Sequence, residues 1–227
     1  MKCIRPIILV LFFQFSFHCA FAQEVLTEGK IIYEISFPDM ELDSAYKALN
    51  PTGSTVYFKN NKSRTELTVG RGLHTATILD AENGDIITLT DMMGTKNAML
   101  IEGKKEGKLK TNDKSKKALP EISYLDETKE IAGYSCKKAR IKTASTTNPV
   151  EVYFTDRINS IMQINRDWKD FKGFPLQYTL EMDGIVMMMT AINVSPEKVA
   201  DSLFVIPADY TILTAEQMSK MMQGSEK

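Results

Sequence analysis

The stretch "LQYTLEMDGIVMMMTA", Leu176 to Ala191, decides how this chain folds. Asp183-Gly184 is a strong signal for a two-residue type I′ hairpin turn. Such a turn pairs Met182 with Ile185, Leu180 with Met187 and Tyr178 with Met189. Because strand side chains alternate between faces, all six lie on one side of the hairpin. Leu176 and Ala191 extend that side. The other side sets Gln177, Thr179 and Glu181 against Val186, Met188 and Thr190. One face is therefore wholly apolar and the other mixed, so the methionine triplet contributes two members to the first and one to the second.

Outward from this hairpin, most of the chain runs in short β-prone bursts between turn signals, the pattern of an antiparallel sheet. "GKIIYEISF" (Gly29 to Phe37) opens it, and "STVYFKN" and "KSRTELTV" follow, joined across Asn60-Asn61. "HTATILD" and "DIITLTD" flank Ala81 to Gly84, a loop that sets Ile78 opposite Ile87 and Leu79 opposite Ile86. "KNAMLIE" continues the sheet. "ISYLDETKEI" and "YSCKKARIKT" form a hairpin around Ala132-Gly133, and "VEVYFTD", the Leu176–Ala191 hairpin and "SLFVIP" complete the strands.

Helices are few and short. "DMELDSAYKALN" (Asp39 to Asn50) spaces Leu42, Ala45, Tyr46 and Leu49 on one helical face, and Pro51 ends it. Thr214 to Gln217 is a capping box, with a Met218, Met221, Met222 stripe behind it that should dock on the sheet. "NSIMQINRDWKDF" (Asn159 to Phe171) carries the only tryptophan, Trp168, on a short helix or ordered loop.

The first residues read as a secretory signal peptide. Lys2 and Arg5 form a positive region, Ile7 to Phe17 an apolar one, and Ala20-Phe21-Ala22 a cleavage site before Gln23. The apolar run is shorter than the ~20 residues that span a bilayer. Residues 1–22 are thus expected to be cleaved, leaving one domain over 23–227, exported to the periplasm, with secretion or outer-membrane association as alternatives. The mature chain keeps one cysteine, Cys136, and one histidine, His74, so no intramolecular disulfide is possible. Without Lys2 and Arg5, 26 basic residues face 29 acidic ones, a net charge of about −3. That balance offers no global basic field for nucleic acid.

The residues that chemistry usually needs are scarce. A nucleophile triad needs a histidine beside a serine or cysteine, and His74, after Gly70-Arg71-Gly72, reads as an ordinary strand residue. Cys136 alternates with Lys138 and Arg140, neighbours expected to lower its pKa and so make it a candidate for oxidation or a mixed disulfide, although a lone thiol of this kind is more often simply buried. "DAENGD" (Asp80 to Asp85) lacks the ligand pattern of a calcium loop and reads as a hairpin turn. Met182, Met187 and Met189 share a face but sit among Leu180 and Ile185, a setting for packing rather than copper. No catalytic residue, metal or cofactor is expected. "GKKEGKLKTNDKSKKA" (Gly103 to Ala118) is a lysine-rich loop, and Lys104, Lys105, Lys108, Lys110, Lys114, Lys116 and Lys117 would be its contacts to anionic headgroups or an acidic partner.

From Ile131 onward, "IAGYSCKKA", "VYFTD" (Val152 to Asp156), "GFPL" (Gly173 to Leu176) and "DSLFVIPADY" (Asp201 to Tyr210) resemble, in order and spacing, exported Gram-negative families of unknown function. The G-Y-x-C-K-K element is similar to that of the GLPGLI family, and the set resembles more distantly the lipoprotein carriers LolA and LolB and the sensor-binding protein RseB. The chain departs from GLPGLI proteins in reading Gly-Phe-Pro-Leu-Gln-Tyr where their name motif stands, and Ala208-Asp209-Tyr210 lacks a glycine before the tyrosine. The resemblance implies a mainly β protein, a strongly curved antiparallel sheet left unclosed as a half-barrel, with short helices on its concave side. The apolar hairpin face would then line the concavity, with Trp168, Tyr178, Leu180, Met182, Ile185, Met187 and Met189 as the ligand-lining set. The expected function is non-enzymatic binding or carriage of a lipid, acyl chain or lipoprotein. The alternative is an envelope interaction or structural module whose interior is filled by its own Tyr46, Leu49, Trp168 and methionine stripe, with the lysine loop as contact surface.

Overall fold

The computed structural model describes residues 25–38, 40, 50–70, 72–103, 120–143, 149–160, 171–182, 185–214 and 217. The expected signal peptide, the segment 41–49 with its expected helix, the lysines between Lys104 and Lys117, residues 161–170 with Trp168, Asp183-Gly184, and Met218, Met221 and Met222 lie outside them.

The described chain forms one twelve-stranded sheet. In chain order the strands are β1 (Glu28–Ser36), β2 (Gly53–Lys59), β3 (Lys62–Val69), β4 (Leu73–Asp80), β5 (Asp85–Met92), β6 (Thr95–Ile101), β7 (Glu121–Ile131), β8 (Tyr134–Lys142), β9 (Val150–Thr155), β10 (Phe174–Met182), β11 (Ile185–Ser195) and β12 (Thr211–Leu213). Their order across the sheet is β12-β6-β5-β4-β3-β2-β1-β11-β10-β9-β8-β7. Each of two meanders is built from consecutive hairpins, and β1 joins them by pairing with β2 on one side and β11 on the other. All ladders are antiparallel except β12 with β6. The sheet ends at β12 and β7, so it curves without closing: a half-barrel.

Local chemistry sets the registers. Asn60-Asn61 makes the tight turn that pairs Lys59 with Lys62, and Asn60 takes a positive φ of 50°. Ile78 faces Ile87 and Leu79 faces Ile86, as the four-residue loop dictates. Ala132 and Gly133, with φ of 49° and 82°, turn β7 into β8. Curvature comes from irregular pairing at Ile32/Tyr33, Pro175/Gln177 and Leu125/Thr128. Such bulges bend a strand and increase its twist.

Both faces are covered, by different means. On the concave side Ile31, Tyr33, Val56, Phe58, Val152, Phe174, Leu176 and Tyr178 are buried in one cluster. Phe58 and Phe174 lie 5.8 Å apart by ring centroid, and Tyr33 meets Tyr178 edge-on at 5.9 Å. The Tyr33 hydroxyl donates to the Pro175 carbonyl at 2.7 Å, tying β1 to β10 across the irregular pairing. On the convex side Ala76, Ile78, Leu89 and Ala98 are covered by Val199 and Phe204.

That cover corrects one expectation. "SLFVIP" is no strand: Asp201–Phe204 is a 3-10 turn inside a strap that crosses the outside of the sheet. Lys59 Nζ donates to the Val199 carbonyl at 3.1 Å and to Asp201 at 2.7 Å, while Arg64 donates to the Leu203 carbonyl at 3.0 Å. The ladders beneath are already complete, so the strap's apolar side chains pack broadside onto the sheet instead of pairing with it. The short β12 follows, unannounced by the sequence pattern. Gln217 and Thr214 exchange the reciprocal backbone bonds of the capping box, at 2.8 and 3.2 Å. Among the described residues no helix is long and apolar enough to cross a membrane.

Candidate functional site in the concave face

The concave face encloses a cavity of about 480 Å³ between β2–β4 on one side and β1, β10 and β11 on the other. Tyr178 stands opposite Met189, Leu180 opposite Met187 and Met182 opposite Ile185, as the Asp-Gly turn requires. Tyr178 and Met189 are buried, and Leu180, Ile185 and Met187 are half-buried on the wall. Ile35, paired with Met189, continues this wall onto β1. Five of the seven predicted lining residues therefore meet in one place. Met182 takes its predicted place in β10, Trp168 lies outside the described residues, and neither is assigned to the cavity.

The opposite wall was not anticipated. Ser54, Ser63, Thr65 and Thr77 turn inward from β2, β3 and β4, interleaved with Leu67 and Leu79. Thr65 pairs with Thr77, Ser63 with Leu79 and Ser54 with Leu67. The signal was present in the sequence: a two-residue turn at Asn60-Asn61 puts Ser54, Val56 and Phe58 on the same face as Ser63, Thr65 and Leu67. Ser54 and Ser63 are only 5% and 4% exposed. Among the described residues the Ser54 Oγ has no hydrogen-bond partner. Among the described lining residues none carries a charge.

Phe37, Asn50 and Pro51, where the chain leaves β1 and returns toward β2, complete the described lining. Burial pushes the Tyr178 hydroxyl well above its ordinary range, so it stays neutral. Burial, with the neighbouring Tyr178 and Cys136, does the same to Tyr33.

The remaining chemical candidates sit elsewhere. Cys136 is fully buried, donates to the Tyr134 carbonyl at 3.5 Å, and has its thiol pushed up by burial to about 12. This reverses the expectation that Lys138 and Arg140 lower it. Those two cations are engaged with carboxylates instead: Lys138 with Glu127 and Glu151, both at 3.0 Å, and Arg140 with Glu151 at 2.9 Å. The hydrogen bond from Tyr153 together with Lys138 holds Glu127 below its usual range. His74 lies exposed on β4 beside Thr68, at 3.0 Å between Nδ1 and the hydroxyl. Asp80 caps its own turn, accepting from the Glu82 and Asn83 backbone at 3.0 and 3.4 Å and pairing with Lys62 at 3.1 Å. "DAENGD" is a hairpin turn. Among the described residues no group of three or more His, Cys, Asp or Glu is placed to hold a metal ion.

Comparison with known proteins bears on the fold. The solved structure of PNGF-II in space group P21 is 18% identical over 88% of this chain, with a TM-score of 0.53, and its C2 form matches over 87% at the same score and identity. The match covers 34% and 33% of those chains, so this chain spans about a third of PNGF-II. A beta-barrel-like protein of the DUF1849 domain of unknown function from Brucella abortus matches over 78% of this chain and 100% of its own. Its 8% identity and TM-score of 0.35 are too low to carry an argument. No curated protein matches. The profile of a domain of unknown function, DUF4412, matches residues 39–168. That region takes in "IAGYSCKKA" and "VYFTD" and stops before "GFPL" and the strap. Covering more than half of the sequence, the match places the chain in the DUF4412 family of domains of unknown function.

Proposed function

We propose that this protein is an exported, non-enzymatic binder or carrier of an apolar ligand, a lipid or the acyl chain of a lipid or lipoprotein. The observation that carries the reading is the cavity of about 480 Å³ with the Tyr178–Met189 and Leu180–Met187 pairs as one wall. Its size falls within the ~300–1,000 Å³ of small-molecule sites, which are mostly apolar with few polar groups. Methionine suits such a wall, because its unbranched, polarizable side chain re-forms around chains of different length. Each methylene moved from water into the cavity contributes ~0.8 kcal/mol, so a chain of ten is worth ~8 kcal/mol before ordering costs.

The sequence resemblance to LolA, LolB and the GLPGLI family supports the same reading at the level of fold, which by itself is an association rather than a mechanism. The leader-like residues 1–22 support export, with the periplasm as the compartment and residues 23–227 as one domain. The lysine-rich 104–117 segment would approach anionic headgroups during loading. The non-enzymatic reading rests on the sequence, which leaves the mature chain one histidine, exposed on β4 beside Thr68.

Native mass spectrometry of gently purified protein tests the proposal. Adducts with the masses of envelope lipids, lost after organic extraction and regained on incubation with lipid vesicles, are expected. A chain that arrives bare and takes up no lipid would leave the interaction-module alternative in its place.

A further inference from the structure

The two walls of the cavity differ in polarity. In strand order β4, β3 and β2 present Thr77, Thr65 and Ser54 among Leu79, Leu67 and Val69, while β1, β11 and β10 present Ile35, Met189 and Leu180, with Tyr178 as that wall's one hydroxyl among the described residues. Ser54 stands at the boundary, paired with Tyr33 on β1 and Leu67 on β3. Its hydroxyl is buried without a hydrogen-bond partner among the described residues. Buried polar groups are nearly always paired, and an unpaired one is costly. A buried orphan hydroxyl on a residue that lines the cavity, free to turn about its χ1, is therefore a place where a ligand atom completes the site.

The head that fits is polar but uncharged. Hydroxyls donate and accept, so the Ser54, Thr65 and Thr77 wall matches a ligand hydroxyl or ester oxygen. Among the described lining residues no lysine, arginine or histidine is present to neutralise an anion. A carboxylate or phosphate seated there would be a buried, unpaired charge.

We infer that the cavity selects neutral acyl amphiphiles, chains ending in a hydroxyl or glyceryl ester such as a monoacylglycerol, with the head on Ser54 and the tail along Leu180, Met187 and Met189. This rests on the apolar-ligand reading and adds head-group selectivity to it.

Isothermal titration of the delipidated full chain with monomyristin, tetradecanol, myristate and tetradecane, all below their aggregation limits, tests it. Monomyristin and tetradecanol are expected to bind about ten-fold or more tighter than myristate, the worth of one hydrogen bond to an uncharged head. Ser54→Ala should erase about ten-fold of that affinity and leave tetradecane unchanged, while Ser54→Thr, which keeps the hydroxyl, should retain it. Thr77→Val serves as a second variant at an exposed wall position and should weaken monomyristin in the same sense. Myristate binding as tightly as monomyristin, or Ser54→Ala binding every probe like wild type, would overturn the head-group inference and leave the apolar cavity standing. Failure of all four probes, tetradecane included, would overturn both.

Discussion

Replacing Met187 with glutamate separates a ligand-facing wall from ordinary core packing. Met187 is half-buried on the cavity side, opposite Leu180, while its neighbour Met188 points to the convex face opposite Thr179. Without a bound acyl chain a carboxylate at 187 would stay hydrated, so the fold should lose only about 1 kcal/mol, the centre of the range for point mutations. An acyl tail displaces that water and strands the charge, and an unpaired buried ion costs several kcal/mol. Taking ~3 kcal/mol as the share that falls on binding, affinity drops by at least ~100-fold. Met188→Glu makes the same chemical change on the other face, beside Gln177, whose side-chain amide donates to the Met188 sulfur at 3.7 Å. It should leave affinity within about two-fold, since nothing in the cavity is altered. Displacement of an environment-sensitive fluorescent fatty probe gives the affinities, and thermal melts of both variants give the stability cost. Equal losses of binding from the two variants, or none from Met187→Glu, would refute the assignment of faces.

Further predictions follow from the supports of the cavity. Tyr33→Phe removes the bond to Pro175 and should cost about 1–3 kcal/mol in urea unfolding, with the slope unchanged. Gly173 holds a φ of 115°, and a Cβ there would strike the Phe154 ring, so Gly173→Ala, which at an unstrained site would stabilise by up to ~1 kcal/mol, should here destabilise by more than that amount, read by the same unfolding curve. Cys136 has a thiol raised by burial from 9.0 to about 12, so the folded state keeps a proton that the unfolded chain releases first. Stability should therefore hold below pH 9 and fall as pH rises from 9 toward 12, with a shallower fall in Cys136→Ala; a thiol reagent at pH 8 should label Cys136 only on unfolding. An equal alkaline slope in both proteins would remove the thiol from that account. His74→Ala should leave lipid binding unchanged, because the imidazole sits exposed with Thr68 outside the cavity.

Much of this architecture was readable because turns with strong local preferences fix register, and register fixes faces. Asp183-Gly184 alone predicts that Tyr178, Leu180, Met187 and Met189 share a wall, and the Ala81–Gly84 loop predicts the Ile78–Ile87 and Leu79–Ile86 pairs. The strap failed to be legible for a physical reason. "SLFVIP" has the composition of a strand, but whether an apolar run pairs or packs broadside depends on which edges are free when it arrives. The strap lies over strands paired on both sides, and the chain reaches the open edge of β6 only afterwards, at Thr211–Leu213. The hydroxyl wall was missed because serine and threonine are ordinary in exposed strands, and only the curvature of the sheet makes Ser54 and Ser63 interior. Cys136 shows the same limit: alternation placed it beside two cations, yet its burial was set by the cluster it shares with Tyr134 on its own strand and with Tyr33 on β1, far away in sequence.

The most direct measurement is a crystal structure of the protein soaked with an acyl chain brominated near its end, read by the bromine anomalous signal. The account predicts a peak inside the concave face, beside Leu180 and Met187. A peak on the convex side near Met188, or none on a chain that binds the probe in solution, would contradict it.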